Sequence, residues 1–439
     1  MKKYEEYKDT GVKWIPKIPK HWGLEPFGRH FSYGKGLPIT KADLLQEGVA
    51  VISYGQIHSK LNHSTTISTE LVRYVSPIYL SSNPNSLLES GDFVFADTSE
   101  DIEGSGNFAY NDYEANLFAG YHTVVARPKD LGNTKYYAYL FLSKSWKNQV
   151  QSLVNGVKVY SIGKRHLKKS ILLIPPVAEQ EKIVNFLDNK TNKINAYVTE
   201  RERELQLLNE LKESEIANVI TRGLNPDVKM KDSGIPWIGE IPEHWEVKRI
   251  KAILSESKEK TNSEGGTLLS LSQYTGVTLK ENTKKVGMFE AESTIGYNIV
   301  KPGQFVMNIM LAWNGSYAVS DYEGVISPAY CVFNFNVECE RKYFHYLLRL
   351  KSYAGAFKTQ SKGIIDSRLR LYPQYFLAFK TIIPPLEEQK AIVEYIEEKC
   401  NKINSLITEL EAEIEYLKEY KQKLIADCVT GQINVQSEI

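Results

Sequence analysis

The chain has 439 residues, of which 42% are apolar and 24% are charged, which is ordinary for a globular protein of two or more domains. It contains no apolar run of about eighteen residues, and the stretch from Met1 to Asp9 is charged throughout. We therefore expect neither a membrane span nor a secretory signal. The four cysteines all lie in the second half, which favours reduced thiols in a cytoplasmic protein over a disulfide or zinc framework.

The net charge of +1 is distributed unevenly along the chain. Residues 177–222 carry 7 Lys and Arg against 9 Asp and Glu, and residues 386–430 carry 6 against 11. These two stretches together sum to −7, so the remainder of the chain sums to +8. This mild basic bias is compatible with a polyanionic partner, but it is far weaker than the bias of a histone-like protein.

The chain opens with a segment rich in glycine, proline and tryptophan that occurs a second time. Residues 9–22 and 232–245 share Asp, Gly, Trp, Ile, Pro and His-Trp at matching positions. Each copy begins a unit of about 200 residues. Two large units indicate a duplication with internal pseudo-twofold symmetry rather than a solenoid of small repeats.

Each unit continues with short β-rich runs, then an aromatic helix, then a glycine with basic residues and a short apolar strand. The β-rich runs are 49–54, 92–96 and 122–126 in the first unit and 268–271, 304–308 and 330–335 in the second. The aromatic helices are predicted at 136–142 and 343–350, with their aromatic residues in the core. This pattern predicts a mixed α/β globule of about 150 residues in each unit.

Each unit ends in a long charged helix that starts after Pro-Pro and stops near Gly223 or Gly431. Apolar residues recur at alternating three- and four-residue steps, which is typical of a coiled-coil seam. The seam residues are Ile403, Ile407, Leu410, Ile414, Leu417 and Leu424 in the second helix, and Ile194, Val198, Leu205 and Leu208 in the first. Lys421 interrupts the second seam, and Arg201 and Lys212 interrupt the first. We expect the two helices, each about 65 Å long, to pair with each other in antiparallel orientation.

These patterns predict an α+β chain with two mixed α/β domains, each followed by a long helix. The predicted limits are 1–173 for the first domain, 174–223 for the first helix, 224–382 for the second domain, 383–431 for the second helix and 432–439 for the tail. The loops between the β-rich runs differ between the units, so we expect them to perform a different task in each copy.

The common catalytic motifs are absent from the sequence: it has no GxxxxGK[ST], no GxSxG, no HExxH and no Cys/His group with zinc spacing. One weak pattern remains, in which Pro226 and Asp227 precede Glu246 and Lys248 and resemble a Mg²⁺-dependent nuclease motif. The first copy has Gly23 and Glu25 at the places of Glu246 and Lys248, so it could not perform the same chemistry. We therefore predict no catalytic residue and no metal site.

The remaining candidates are residue types suited to reading DNA, since Arg, Lys, Asn and Gln pair with base edges and aromatic rings pack on sugars or thymine methyl groups. They are Tyr54, Gln56, Lys60, Asn107, Tyr121, His122, Asn155, Lys158, Tyr160, Lys164 and Arg165 in the first unit, and Gln273, Tyr274, Asn308, Trp313, Asn314, Lys362, Arg368 and Arg370 in the second. Any single one is more often a solvated surface residue. The basic runs after Gly156 and Gly363 are favoured because they recur in position.

The whole arrangement resembles the specificity subunit of type I restriction-modification enzymes. The resemblance rests on Trp-Ile-Pro, Ile-Pro and His-Trp at each opening and on Ile-Pro-Pro-x-x-Glu-Gln at the start of each long helix. It implies a non-catalytic subunit whose two target-recognition domains each read half of a split DNA site. It also implies that the helices set the spacer and dock two methyltransferase subunits, which restriction subunits then join. S-adenosylmethionine, ATP and Mg²⁺ would belong to those partners, and this chain would hold no cofactor.

Two other classes of protein stay open at this point. A self-contained nuclease or methyltransferase with duplicated DNA-binding parts would be active as the purified chain with Mg²⁺ or S-adenosylmethionine. A coiled-coil scaffold without a nucleic-acid partner would keep its function after loss of all the basic loop residues.

Overall fold

The computed structural model describes residues 2–154, 159–280, 293–365 and 368–436, and the chain divides into two compact units. The first unit comprises Met1–Glu202 and Ala412–Ile439, and the second comprises Arg203–Glu411. Each unit therefore contains one globule and a portion of both long helices. These helices span Val177–Arg222 and Leu386–Val429, directly after their Pro-Pro pairs, where the missing proline N–H has no helical partner to lose.

The globule of the first unit is built on a four-stranded antiparallel sheet. Its strands, in spatial order, are Phe31–Lys35, Thr123–Pro128, Phe93–Ala96 and Phe108–Tyr110. A second sheet orders Leu117–Ala119, Val49–Ile52 and Arg73–Val75, and the two-stranded pairs are Tyr7–Val12 with Ile15–Pro19, Gly23–Pro26 with Ile171–Ile174, and Thr98–Ser99 with Tyr160–Ser161. The helices are Phe27–His30, Tyr54–Ile57, Tyr79–Ser82, Thr134–Leu142, Lys144–Gln151 and Lys164–Lys169.

The globule of the second unit repeats the four-stranded sheet with the same strand order. Its strands are Leu254–Glu256, Tyr330–Phe335, Phe305–Asn308 and Tyr317–Val319. The two-stranded pairs are Met230–Asp232 with Glu240–Pro242, Glu246–Arg249 with Lys380–Ile383, Leu269–Ser272 with Gly276–Leu279, and Asn298–Val300 with Gly324–Ile326. The helices are Arg341–Leu348, Lys351–Gln360 and Pro373–Ala378. The predicted α+β scaffold is thus confirmed in both copies.

Aromatic side chains fill the core of each globule. In the first unit the ring of Phe141 lies 4.4 Å from that of Trp146, and Phe27 stacks on Phe31 at 4.0 Å. In the second unit the rings of Phe305 and Phe376 stack at 5.7 Å. Aromatic pairs in such geometries add stability beyond their burial, so each sheet is held on its helices by a compact aromatic cluster.

The aromatic helix of each globule is buried, as the sequence predicts, and it anchors one end of the helix pair. Tyr136 donates its hydroxyl to the carbonyl of Val429 at 2.8 Å, so the end of the second long helix lies in the first unit. Tyr343 donates to the carbonyl of Ile220 at 2.9 Å in the second unit. Each long helix therefore starts against one globule and ends against the other.

The two long helices pair antiparallel within each unit, as predicted. In the first unit Lys421 donates to Asn195 at 2.8 Å, and Lys418 lies 3.1 Å from Glu202. Partners thus move backward along one helix as they move forward along the other. The seam is drawn from buried Ile403, Leu410, Ile414 and Leu424 and half-buried Ile194, Val198, Leu205, Leu208, Ile407 and Leu417. No helix of the described residues is both long and apolar enough to cross a membrane.

Candidate nucleic-acid interface

The repeated opening segment is fastened to the start of a long helix by one carboxylate. The indole N–H of Trp22 donates to Oε2 of Glu179 at 3.0 Å, and Nε2 of His21 lies 2.6 Å from Oε1. The same two contacts recur in the second unit at 3.0 and 2.6 Å, where the residues are Trp245, His244 and Glu388. We call these contacts the opening clamp. They explain why His-Trp and the helix-start Glu occur together in both copies.

The glutamine that follows each clamp glutamate connects the aromatic helix to the start of the long helix. Gln180 accepts a hydrogen bond from the backbone N–H of Asn133 at 3.0 Å and donates to the carbonyl of Pro175 at 2.9 Å. Asn133 caps the helix Thr134–Leu142, so the amide fixes where that helix begins. Gln389 repeats both bonds, with Glu340 at 3.0 Å and Pro384 at 2.8 Å. Glu-Gln therefore joins the opening segment, the aromatic helix and the long helix in each unit.

Three of the first-unit candidates gather around one cleft of about 640 Å³, which Tyr54, Asn107 and His122 line. The ring of Tyr54 lies 5.4 Å from that of His122 and 5.6 Å from that of Tyr121. These residues lie next to the ends of different strands, so their chain positions differ widely while their side chains meet. The cleft is the most compact group of predicted reading residues in this unit.

A hydrogen-bonded chain forms the floor of this cleft and includes two residues that the sequence analysis missed. Lys147 donates to Oδ1 of Asn107 at 3.0 Å, and Nδ2 of Asn107 lies 3.2 Å from Nδ1 of His58. Nε2 of His58 in turn lies 2.8 Å from the carbonyl of Thr98, so His58 is the tautomer protonated at Nε2. Burial lowers the pKa of Lys147. Because both ends of its amide are engaged, Asn107 shapes the cleft rather than presenting a free amide to a base.

His122 occupies a backbone conformation that few residues other than glycine adopt. Its φ is +54°, in the left-handed region, and its Nδ1 lies 3.4 Å from a carboxylate oxygen of Asp97. Such strain persists only where surrounding contacts over-determine it, and it concentrates at binding sites. The exposed imidazole is therefore held at the mouth of the cleft at a conformational cost.

The other first-unit candidates lie apart from this group or serve the fold. Gln56 accepts from the backbone N–H of Ser53 at 3.1 Å and so caps a short helix, and Lys60 is exposed on the following turn. Nζ of Lys164 lies 6.0 Å from the centre of the Tyr33 ring. Tyr160 pairs with Ser99 in a short strand, and Arg165 donates to His166 at 3.1 Å. Asn155 and Lys158 lie outside the described residues.

The second unit presents one group of its candidates on and beside the segment that follows the strand Phe305–Asn308. Trp313 donates its indole N–H to the carbonyl of Met310 at 3.0 Å, and Nζ of Lys358 lies 5.1 Å from the centre of its ring. The buried amide of Asn308 accepts from the backbone N–H of Met310 at 2.9 Å and so shapes this loop. Asn314 is exposed beside it. The loop thus offers an aromatic ring and a cation supported by a buried asparagine.

A second group of candidates lies on a neighbouring hairpin. Lys362 and Arg370 face each other across its two arms, and Nζ of Lys362 lies 5.2 Å from the centre of the Tyr375 ring. Arg368 is exposed between them along the chain. Of the remaining pair, Tyr274 is exposed and Gln273 is half-buried, with its carbonyl bonded to Arg349. The favoured basic run is therefore on a hairpin anchored to the core.

The nuclease-like pattern finds no support as a metal site in the described part of the chain. Glu246 and Lys248 form an ion pair at 2.5 Å with each other, on the surface. The described residues contain no group of three or more His, Cys, Asp or Glu that could hold a metal ion. The four cysteines are free thiols, and three of them are buried.

The two lysines that interrupt the seams turn out to have matched partners. Nζ of Lys421 donates to Oδ1 of Asn195 at 2.8 Å in the first unit, and Nζ of Lys212 donates to Oδ1 of Asn404 at 2.7 Å in the second. Both asparagines end the repeated Asn-Lys-Ile-Asn sequence. An offset of 209 residues relates the two bonds, because it carries Asn195 to Asn404 and Lys212 to Lys421.

Comparison with known proteins agrees with this architecture. A MjaX protein of Methanocaldococcus jannaschii, provisionally named a type I restriction enzyme specificity subunit, is 26% identical over 377 residues, covering 79% of each chain. The type I restriction enzyme MjaVIII specificity subunit of the same organism is 26% identical over 321 residues, covering 68% of this chain and 71% of its own. Their alignments extend over both units.

The fold also matches a solved structure. A chain from a structure described as addressing complex assembly and conformational transition of the type I R-M system superposes with a TM-score of 0.67 and 15% identity, covering 95% of this chain and 99% of its own. The profile of the type I restriction modification DNA specificity domain matches twice, at residues 34–207 and 242–416. The chain therefore belongs to the type I restriction modification DNA specificity family and carries two copies of its domain.

Proposed function

We propose that each globule of this specificity subunit reads one half of a bipartite, asymmetric DNA sequence, and that the helix pair fixes the unread gap between the halves. The observation that carries this proposal is the contrast between the features that the two units share and those in which they differ. The sheet order and the opening clamp repeat, whereas the loops that hold the candidate readers differ. A constant scaffold with two different reading surfaces suits a site whose halves differ in sequence.

The chemistry of both surfaces favours duplex DNA as the ligand. The first presents Tyr54 and His122 at a cleft, and the second presents Trp313 beside Lys358 and the basic hairpin from Lys362 to Arg370. Aromatic rings and cations near the surface suit sugars, bases and phosphates. The relatives named as specificity subunits support the same role, in which chemistry belongs to other subunits.

The partners that this role requires are methyltransferase subunits and restriction subunits. We propose two methyltransferase copies, because each helix carries an exposed apolar pair outside its seam. The pairs are Leu207 with Leu211 and Tyr416 with Tyr420, which are 54%, 48%, 68% and 39% exposed. The offset of 209 residues that relates Asn195 to Asn404 also relates these pairs. A patch that occurs once in each unit suits one partner copy per unit.

The decisive experiment maps methylated adenines in cells that express this chain with its partner methyltransferase. The expected result is one split sequence with a fixed gap. Exchanging residues 23–173 for the matching stretch of another family member should change one half only. We propose 1–173 and 224–382 as the limits of the two recognition domains. Changes in both halves after the exchange would contradict it, and so would methylation or Mg²⁺-dependent cleavage by the purified chain alone.

The gap provides a second readout of the same proposal. Adding one heptad to one long helix should change the spacer length while both halves stay intact, because the helix sets a distance and makes no base contact. An altered half-site with an unchanged spacer would refute this division of labour.

The two docking patches can be tested separately by the mass of the assembled complex. Leu207→Ser with Leu211→Ser should remove one methyltransferase copy, and Tyr416→Ser with Tyr420→Ser should remove the other. Leu61→Ser is the matched control, since Leu61 is 48% exposed but lies in the first globule. Retention of both copies in either double variant would place the docking surface elsewhere.

A further inference from the structure

The basic hairpin of the second unit is firmly closed at its base. The backbone N–H groups of Lys362 and Arg370 each donate to the other's carbonyl, at 2.8 and 2.9 Å. Leu371 is fully buried behind the hairpin, and its N–H donates to the carbonyl of Ile309 at 3.0 Å. The hairpin is therefore fixed to the core at the point where its two arms begin and end.

Two apolar side chains follow Gly363 on the first arm of the hairpin. Ile364 is 100% exposed and Ile365 is 53% exposed. A fully exposed isoleucine gains nothing from the hydrophobic effect in the free protein. Burying it against a partner would therefore release free energy.

Cations outnumber acids near these isoleucines along the chain, since Asp366 is the one acidic residue of 362–370. Lys362, Arg368 and Arg370 lie on the hairpin itself, and Lys358 lies over Trp313 nearby along the chain. The partner must therefore combine a rim of negative charge with an apolar group recessed behind it. The major groove of duplex DNA has this arrangement, because phosphates border it and the C5 methyl group of thymine points into it.

We propose that Ile364 contacts the C5 methyl group of a thymine in the half-site that the second domain reads. The contact rests on the proposed function, and it adds the chemical identity of one group that is read. The flanking cations bind phosphates and position the hairpin, while the isoleucine distinguishes thymine from bases that lack the methyl group.

Uracil differs from thymine only by that methyl group, and this difference provides the test. The complex of this chain with its partner methyltransferase is titrated with a duplex that contains the mapped site, and each thymine of the second half-site is replaced singly by uracil. One replacement should weaken binding of the unaltered protein about fourfold, the value of one buried methyl group. The same replacement should have no effect on Ile364→Ser.

Two further variants make the result specific. Ile364→Val keeps the β-branched shape with one carbon fewer and should show a reduced uracil effect. Ile78→Ser is the matched control, since Ile78 is 64% exposed in the first globule and should leave the effect intact. Circular dichroism checks that each variant is folded.

The proposal falls if no uracil position weakens binding, if the uracil effect persists in Ile364→Ser, or if the second half-site holds no thymine. An increase in the fluorescence of a 2-aminopurine placed beside the site, without a uracil effect, would instead indicate that the hairpin unstacks bases. In each of these cases an intact bipartite methylation pattern would leave the proposed function standing. Loss of the split pattern itself would overturn both.

Discussion

The two units share the contacts that join their distant segments and differ in their surface loops. The indole-to-carboxylate distance of the opening clamp is 3.0 Å in both, from Trp22 to Glu179 and from Trp245 to Glu388. By contrast, the strained His122 of the first unit has no counterpart among the positive-φ residues described in the second, where glycines alone adopt that conformation. After duplication, contacts that join distant segments were kept while single loops changed.

The physical reason is the number of partners that each kind of residue serves. Glu179 is the acceptor for Trp22, His21 and Tyr4 at once, so a change in it leaves a buried indole N–H and a half-buried hydroxyl without their acceptor. A loop residue such as Asn314 is exposed, and a change there costs the fold little. Duplicated joints therefore stay alike under selection for folding, whereas loops can follow selection for binding.

The largest expected effect follows from removing the clamp carboxylates. Glu179→Ala should lower the free energy of unfolding by about 3 kcal/mol, because the Trp22 N–H loses its acceptor in a buried place. Glu388→Ala should cost about 2 kcal/mol, since its side chain is 40% exposed against 16% for Glu179. Calorimetry on both variants measures the difference. The control is Glu181→Ala, a neighbouring exposed residue. Equal losses of unfolding free energy in all three variants would show that the clamp carboxylates have no special role.

Acid should destabilise the second unit more than the first, because only the second carries a histidine in its aromatic helix. Burial, followed by repulsion from Arg349 and Lys342, lowers the pKa of His345 to about 4, whereas Ala138 stands at this place in the first unit. With the folded pKa depressed, the neutral form stabilises the fold above pH ~6.5, and this stability is lost as the pH falls toward 4. The loss should reach about 3 kcal/mol.

The matched variant for this effect is His345→Asn, whose side-chain oxygen can replace Nδ1 as the acceptor for the backbone N–H of Val319. Hydrogen exchange between pH 6.5 and 4, followed separately in each unit, should show a loss of protection in the second unit of the unaltered protein only. The same loss in His345→Asn would assign the acid sensitivity to another group.

The smallest expected effect concerns the lysines in the seam. Burial lowers the pKa of Lys421, which is 9% exposed, so Lys421→Leu should complete the apolar seam and raise stability by about 1 kcal/mol or less. Lys212→Leu should gain less, because Lys212 is only half-buried. Thermal unfolding compares the two. A loss of stability in Lys421→Leu would mean that the bond to Asn195 outweighs the cost of burying the ammonium group.

The two repeated units and the pairing of the long helices were predictable, because sequence repeats and apolar periodicity can be read from short stretches of the chain. The seam from Ile403 to Leu424 and the two Pro-Pro starts predict that the long helices pair antiparallel. The individual readers were less predictable. Asn107 and Gln56 have the residue types of base readers, yet one is bonded to Lys147 and the other caps a helix, since hydrogen-bond partners far along the chain decide which polar groups are free.

The amino-acid sequence by itself determined that there are two like units, where each long helix starts and stops, and which faces of those helices are apolar, because each of these features depends on neighbours within a few residues. Only the tertiary structure decided that Glu179 and Glu388 hold the openings, that Lys212 and Lys421 find asparagine partners, and that Ile364 is held out in solvent. Those outcomes depend on contacts between residues tens to hundreds of positions apart, and a local pattern does not encode them.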